Sequence, residues 1–316
     1  MEYLEAAAWL RERDNFLILT HRRPDGDTIG CAAGLCRALR QLGKTAWVLP
    51  NTDATDLFTP YLEGLLAPPE VQPDYVISVD VAGVGLFTPE GRQWLERGVD
   101  LAIDHHPSYE GFGKNSCVDS GRAACGELVL DIVQALTSLT PAIALPLYVA
   151  ISTDTGCFVY TNTSPATHRA AAALMDTGID CGPVNKRHFR TKSWKRLKLE
   201  SRMVAELELH DQGKIALAAV TLDMVNAIQA TELDLENISA FVGEIQGVET
   251  GVTIRELADG TCKLSVRTGP HLNATQVCAL LGGGGHAAAA GCTINGTVEE
   301  AKRAILGAIK QVQGHG

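Results

Sequence analysis

Short apolar runs alternate with helix-like stretches over roughly the first 180 residues. Residues 16–21, 45–49, 75–81 and 101–105 are rich in Val, Ile and Leu and apolar without alternation. Strands covered on both faces read this way, because neither side meets water. Between them, residues 28–42, closed by Gly43, and 125–136 carry helical spacing. Strand and helix in alternation predict an α/β fold, a doubly wound and mainly parallel sheet. Ligands of such sheets collect beyond the carboxyl ends of the strands.

The pattern changes after residue 183. Lys186, Arg187, Arg190, Lys192, Lys195, Arg196, Lys198 and Arg202 fall within one predicted helix over residues 184–203. It reads as a connector. A solvated basic face is the plain explanation, and a phosphate-steering surface the sharper one. Further on, residues 214–221 predict a strand, and 251–257 with 262–267 a hairpin around Asp259-Gly260, a favoured turn pair. Residues 299–312 predict a closing amphipathic helix. The expected organisation is therefore an α/β domain over 1–182, a helical linker over 183–206, and a smaller α+β domain over 207–316.

At 316 residues the chain suits two cores better than one. No apolar run approaches the roughly 18 residues that span a bilayer, so no membrane partner is expected. The start, MEYLEAAAWLRERD, is acidic and lacks the basic segment of a secretory leader. The nine cysteines are odd in number and form no CxxC pair. Both features point to reduced thiols and a cytoplasmic location. The formal net charge of -10 gives no general attraction to long nucleic acid. Any phosphate is expected to meet local cations, bound metals or backbone N–H groups, which favours small ligands.

Four clusters carry the candidate chemistry. Thr20-His21-Arg22-Arg23-Pro24-Asp25-Gly26-Asp27 follows the first strand, where Pro and Gly enforce a tight loop and let His21, Asp25 and Asp27 converge. Asp80 closes YVISVD, Asp104-His105-His106 closes LAIDHH, and Asp154 follows ALPLYVAIS in ISTDTG. All four are expected at strand ends. One Asp after a strand is ordinarily a turn or cap residue, but four clusters at successive ends call for more than capping. Carboxylates mixed with imidazoles suit hard and borderline divalent cations. Two such ions about 4 Å apart can clamp an in-line phosphoryl displacement and activate the attacking water.

The order HRRPDGD, D, DHH, D resembles the DHH phosphoesterase superfamily, which includes manganese pyrophosphatases, RecJ-type exonucleases and small oligoribonuclease/pAp phosphatases. The resemblance implies that His21, Asp25 and Asp80 hold one metal, and Asp27, Asp80, His105 and Asp154 the other, with Asp80 bridging. It implies two divalent ions, manganese by preference. His106 would then face the substrate phosphate, and Asp104 would orient the histidine pair.

A second motif lies near the C-terminal end. Leu281 is followed by Gly282, Gly283, Gly284, Gly285 and His286, then Ala287–Ala290. Consecutive glycines let a backbone approach a ligand and aim its N–H groups at it. The alanines after them predict a helix, whose N-terminus would add positive charge; a flexible hinge is the simpler alternative. The segment resembles the GGGH signature of the DHHA1 domain. By that resemblance the loop, with Gly283, Gly284, Gly285 and His286, binds nucleotide, and Arg267 in KLSVRT contacts a phosphate, a task its fork-shaped guanidinium suits. Cys31 and Thr268 stand where serines are usual, and TGPHLNATQ lengthens the link to the loop.

Elsewhere, His168, His188, His210, His271 and His315 lack a neighbouring cluster and are expected on surfaces. Asn115 and Asp119 are expected to serve a turn, and Arg122 is a weaker candidate for a phosphate contact. The resemblance implies an enzyme that hydrolyses very short RNA to mononucleotides and pAp to AMP. A substrate that must touch both metals and glycine loop would be limited in length. A phosphodiesterase for cyclic dinucleotides such as c-di-AMP, or for pApA, is the runner-up. A nucleotide-binding sensor without turnover is disfavoured by the complete ligand set, and pyrophosphate by the GGGH motif. The oligomeric state is open, a homodimer being one option.

Overall fold

The computed structural model describes residues 1–235 and 238–314. His315 lies outside them. The chain divides into two compact units, Met1–Thr191 and Lys192–Gly316.

The first unit runs α1 (Tyr3–Arg11), β1 (Phe16–Leu19), α2 (Gly26–Gln41), β2 (Ala46–Val48), β3 (Tyr75–Val79), α3 (Pro89–Arg92), β4 (Leu101–Asp104), β5 (Ser116–Val118), α4 (Cys125–Leu136), α5 (Pro141–Asp154), α6 (Pro165–Met175) and α7 (Cys181–Asn185). Its five strands are all parallel, in the order β2-β1-β3-β4-β5. Every residue of β1 and β4 is buried, which explains their unbroken apolar runs. The connection leaves β1 towards β2, then returns to β3 on the other side. That reversal opens a crevice beyond the carboxyl ends of β1 and β3.

Helices α2 and α5 pack closely, because a Cβ built at Gly30 would lie 2.2 Å from the Pro146 carbonyl oxygen. Only glycine permits this approach, which brings the start of α2 to the end of α5. Residues 141–154 correct one expectation: Asp154 ends a helix, not a strand. A continuous apolar run is equally the signature of a buried helix, and Pro141 opens this one.

The second unit contains α8 (Trp194–Ala205), β6 (Glu208–His210), β7 (Ile215–Val220), α9 (Leu222–Ile228), β8 (Thr250–Glu256), β9 (Thr261–Thr268), α10 (Ala274–Ala279), β10 (Gly284–His286), β11 (Ala289–Asn295) and α11 (Val298–Gln313). Its sheet has the order β10-β11-β9-β8-β7-β6, with β7–β8 the parallel pair. The hairpin turns at Asp259-Gly260, where Asp259 accepts from the N–H of Thr261. Thr297 and Glu300 form a capping box at the start of α11.

Two further expectations are corrected here. The alanines after His286 are not helical: they form the turn and second strand of a hairpin, with His286 paired to Ala289. Four residues cannot repay helix nucleation, whereas β9 offers β11 a full ladder. The single helix over 184–203 is also interrupted. A turn of π-helix over Lys186–Arg190 ends before α8, which Ser193 caps through the N–H of Arg196. No helix of the described residues is long and apolar enough to cross a membrane.

Candidate functional site

The first site assembles beyond the carboxyl ends of β1, β3 and β4. His21 lies two residues after β1 and bridges to Phe87. Its Nδ1 lies 2.9 Å from the Arg22 carbonyl. A carbonyl only accepts, so Nδ1 carries the proton and Nε2 keeps its lone pair. Asp25 caps α2, accepting from the N–H groups of Asp27 at 3.0 Å and Thr28 at 3.2 Å. Thr28 Oγ donates to the Val79 carbonyl at 2.9 Å and ties α2 to the end of β3.

Asp27 is buried, and both of its oxygens receive N–H groups from the start of α4: Cys125 at 2.7 Å and Gly126 at 2.9 Å. The Cys31 thiol adds a contact at 3.3 Å. Helix α4 has no side-chain cap of its own at Ala124, so a carboxylate about a hundred residues earlier in the chain does that work. Asp80 adopts a left-handed backbone (φ 57°) directly after β3. Such conformations cost free energy in a non-glycine residue and collect at functional sites.

The DHH triplet closes β4. Asp104 is fully buried; its Oδ1 accepts from the His105 backbone N–H and from His106 Nδ1, each at 2.8 Å. His105 Nδ1 lies 3.2 Å from the Arg122 carbonyl. As at His21, this leaves Nε2 as the acceptor.

These lone pairs point at carboxylates. His21 Nε2 lies 3.6 Å from Asp25 and 3.8 Å from Asp80 Oδ2. His105 Nε2 lies 3.7 Å from Asp27, 3.5 Å from Asp80 Oδ1 and 3.5 Å from Asp154. Such separations are too long for hydrogen bonds but match ligands that share an ion at about 2.1 Å. The two oxygens of Asp80 therefore face different histidines. Within each of the groups His21–Asp25–Asp80, Asp27–His105–Asp154 and Asp80–His105–His106, the ligand atoms all lie within 4.8 Å of one another.

The electrostatics also fit a cation. Burial, then the Asp154 carboxylate, push Asp27 well above the usual carboxylate range. Burial, then Asp27, do the same to Asp80. Asp154 rises to about 6 through burial, with His105 opposing. Asp80 Oδ1 and Asp104 Oδ2 are buried without a hydrogen-bond partner among the described residues. Crowded, underpaired carboxylates of this kind can hold a divalent metal.

A second candidate site lies wholly in the other unit. Arg267 on β9 pairs with Ala289, and Ala289 pairs with His286 on β10. Directly opposed residues share a sheet face, so Arg267 and His286 stand in one row, two strand spacings or about 10 Å apart. Ser239 accepts from Arg267 at 3.3 Å. Gly284, Gly285 and His286 are exposed. Gly283 lies against β11, where a Cβ would come within 2.2 Å of the Gly291 carbonyl.

Other expectations fare differently. Arg122 pairs with Asp119 at 2.9 Å and Asp131 at 2.7 Å; its carbonyl, not its guanidinium, serves the site. Asp119 accepts from the N–H of Gly121, as a turn residue does, whereas Asn115 donates to the Asp100 carbonyl fifteen residues earlier. His188 is half-buried, not fully exposed: it stacks on Phe58 and on Tyr61, with Nε2 2.8 Å from the Tyr61 hydroxyl. Half of the basic stretch is tied down. Arg187 reaches the Asp56 carbonyl, Lys195 the Gln229 carbonyl, and Lys192 and Arg196 share Glu200. Sequence reasoning passed over Asn162, whose amide donates to the carbonyls of Asp154 and Ala123 and fastens the end of α5 to the approach to α4. Nothing in its local sequence marks that role.

Two family models match the chain: the DHH family, N-terminal domain, over residues 15–151, and the DHHA1 domain over 213–314. The chain is 31% identical to the bifunctional oligoribonuclease and PAP phosphatase NrnA of Thermus thermophilus, an alignment covering 93% of this chain and 89% of that protein. It is 26% identical to the probable bifunctional oligoribonuclease and PAP phosphatase NrnA of Streptococcus mutans, covering 90% and 91%. Among solved structures, an exopolyphosphatase-related protein from Bacteroides fragilis aligns with a TM-score of 0.87 at 23% identity, covering 99% of this chain and 96% of that one.

Proposed function

Because the chain belongs to the DHH phosphoesterase family, with a DHHA1 domain following the DHH domain along the chain, we propose that it hydrolyses very short RNA to mononucleotides and pAp to AMP. The observation that carries this reading is Asp80. Its two oxygens face His21 and His105 separately, the disposition of a carboxylate shared by two cations. On this reading His21, Asp25 and Asp80 would hold one divalent ion, and Asp27, Asp80, His105 and Asp154 the other, with manganese the ion that the family resemblance implies. Bound there, such ions polarise the phosphoryl oxygens and make water a nucleophile near neutral pH.

The protein's own groups complete the chemistry. Asp104 holds the proton on His106 Nδ1, so Nε2 is the ring atom that meets the phosphate and exchanges a proton there. Arg267 and the loop with Gly283, Gly284, Gly285 and His286 hold the nucleotide, the guanidinium taking a phosphate in a forked contact. The relatives named as oligoribonuclease and PAP phosphatase support the substrate class. The net charge of -10 and the internal pairing of half the basic stretch support short substrates over long ones. Nine free thiols support a cytoplasmic location.

The test is a panel of pAp, dinucleotides, a longer RNA, c-di-AMP and pyrophosphate, each with manganese and with a chelator. Turnover of pAp and dinucleotides that the chelator abolishes is expected. Rapid cleavage of the long RNA with dinucleotides untouched overturns the size argument, and preference for c-di-AMP moves the reading to a cyclic dinucleotide phosphodiesterase.

A further inference from the structure

The segment after Asp154 carries three consecutive left-handed residues, Gly156 (φ 56°), Cys157 (φ 57°) and Phe158 (φ 67°). Two of them have side chains, and a run of this kind persists only where the surroundings enforce it. Here they do. Cys157 N–H donates to the Ser152 carbonyl at 2.7 Å, and those of Val159 and Tyr160 donate to the Thr155 carbonyl at 3.0 Å each. Phe158 N–H donates to Thr155 Oγ at 3.2 Å. Asn162 holds the far end by donating to the Asp154 carbonyl at 3.1 Å.

The fold sends the first ring inward and the second outward. Phe158 packs against Tyr148 and stacks on His168, with ring centres 5.2 Å apart in the latter pair. Tyr160 instead lies on Gly156, where a Cβ would come within 2.5 Å of its ring carbons. One face of the ring is thus seated on backbone two residues beyond Asp154, at most about 7 Å along the chain. Tyr160 is nonetheless 48% exposed, and Val159 beside it 77%. A strained, fastened loop that displays an aromatic ring next to a candidate metal ligand calls for a ligand with a flat apolar face.

We propose that Tyr160 is a specificity-determining residue, the platform on which one nucleobase of the substrate stacks. The inference rests on the nucleotide-hydrolase reading above and adds the subsite. Stacking accepts any base, since every base has a π-face. A platform of this kind predicts little base preference together with a firm requirement for a base.

The experiment uses the 316-residue chain loaded with manganese and two probes, pApA and analogues in which one or the other residue is an abasic ribose. Tyr160→Ala is expected to raise KM for pApA by roughly 5- to 100-fold with kcat little changed. One abasic analogue should show no difference between wild type and variant. Tyr160→Phe should restore the wild-type KM, and Gly156→Ala, which unseats the ring, should reproduce Tyr160→Ala. Equal KM values for pApA in wild type and Tyr160→Ala overturn the platform, as does an equal loss on pApA and both analogues. Failure of the wild type to cleave pApA overturns the substrate reading, and the platform with it.

Discussion

The two candidate sites are built by opposite means. In the first unit the candidate ligand atoms are side chains, with Asp27, Asp80 and His105 buried, and several are fixed by a second contact: Asp27 by α4, His105 by the Arg122 carbonyl, His106 by Asp104. In the second unit the edge strand from Gly284 to His286 is exposed, and the backbone itself is the candidate binding group. On the proposed reading the difference follows from what each would do. Cations demand charges held in a dry, shaped site, where the carboxylates repel one another until an ion arrives. A phosphate of changing substrates needs donors on an open surface, where glycine lets the chain come close. One site is costly to build and intolerant of change, and the other is cheap and adjustable.

Mutations can break or sharpen this contrast. The largest effect is expected at Asp80→Ala, which removes the carboxylate facing both histidines. Turnover of pAp should fall by at least about 10³-fold, while nucleotide binding, read by calorimetry, persists in part. Unchanged turnover would reject the two-ion reading. Arg267→Ala should raise KM for pAp by about 10- to 100-fold, as expected for a lost charge-assisted contact, with a smaller change in kcat. Arg267→Lys should recover little of it, since an ammonium cannot reproduce the fork.

A pair of glycine replacements tests the contrast directly. Gly30→Ala forces a methyl group against the Pro146 carbonyl and should cost about 3 kcal/mol in urea unfolding, with weakened metal binding. Gly284→Ala meets nothing within 4 Å, so stability should move by less than about 1 kcal/mol while KM rises several-fold. If the second substitution left KM unchanged, the loop would lose its claim to the nucleotide.

The smallest effect concerns His188. Burial, then the Arg187 charge, lower it from 6.5 to about 4. Between those values the unfolded chain binds a proton that the folded chain refuses. Its contribution to stability is therefore intact above pH 6.5 and is lost as pH falls towards 4. Thermal melts of His188→Phe should show a flatter pH dependence than wild type across that window.

Much of the first unit was legible in the sequence, because its strands are buried on both faces and its helices carry clear boundaries. The predicted strand over 101–105 became Leu101–Asp104, and the predicted helix over 125–136 became Cys125–Leu136. The misses share a cause. Residues 144–152 and 287–290 have compositions that suit more than one backbone state, and their partners chose between them. Beside α2 the first became helix; beside β9 the second became strand. The connector read as one helix because its charges hide the stop at residues 191–193, where Ser193 begins a new helix. His188 looked exposed because Phe58 and Tyr61, which bury it, are more than a hundred residues earlier.

The sequence by itself determined which chemistry was available: carboxylates and imidazoles in a set order, a glycine loop, and an arginine at the end of a strand run. Local periodicity placed most of these at element ends, since helix and strand spacing is written in neighbouring residues. Only the tertiary structure decided which of them meet. The strand order set His21 beside Asp80, the close approach at Gly30 carried Asp154 to Asp27, and three paired strands put Arg267 and His286 in one row. Those pairings depend on contacts between residues far apart in the chain, which no local pattern encodes.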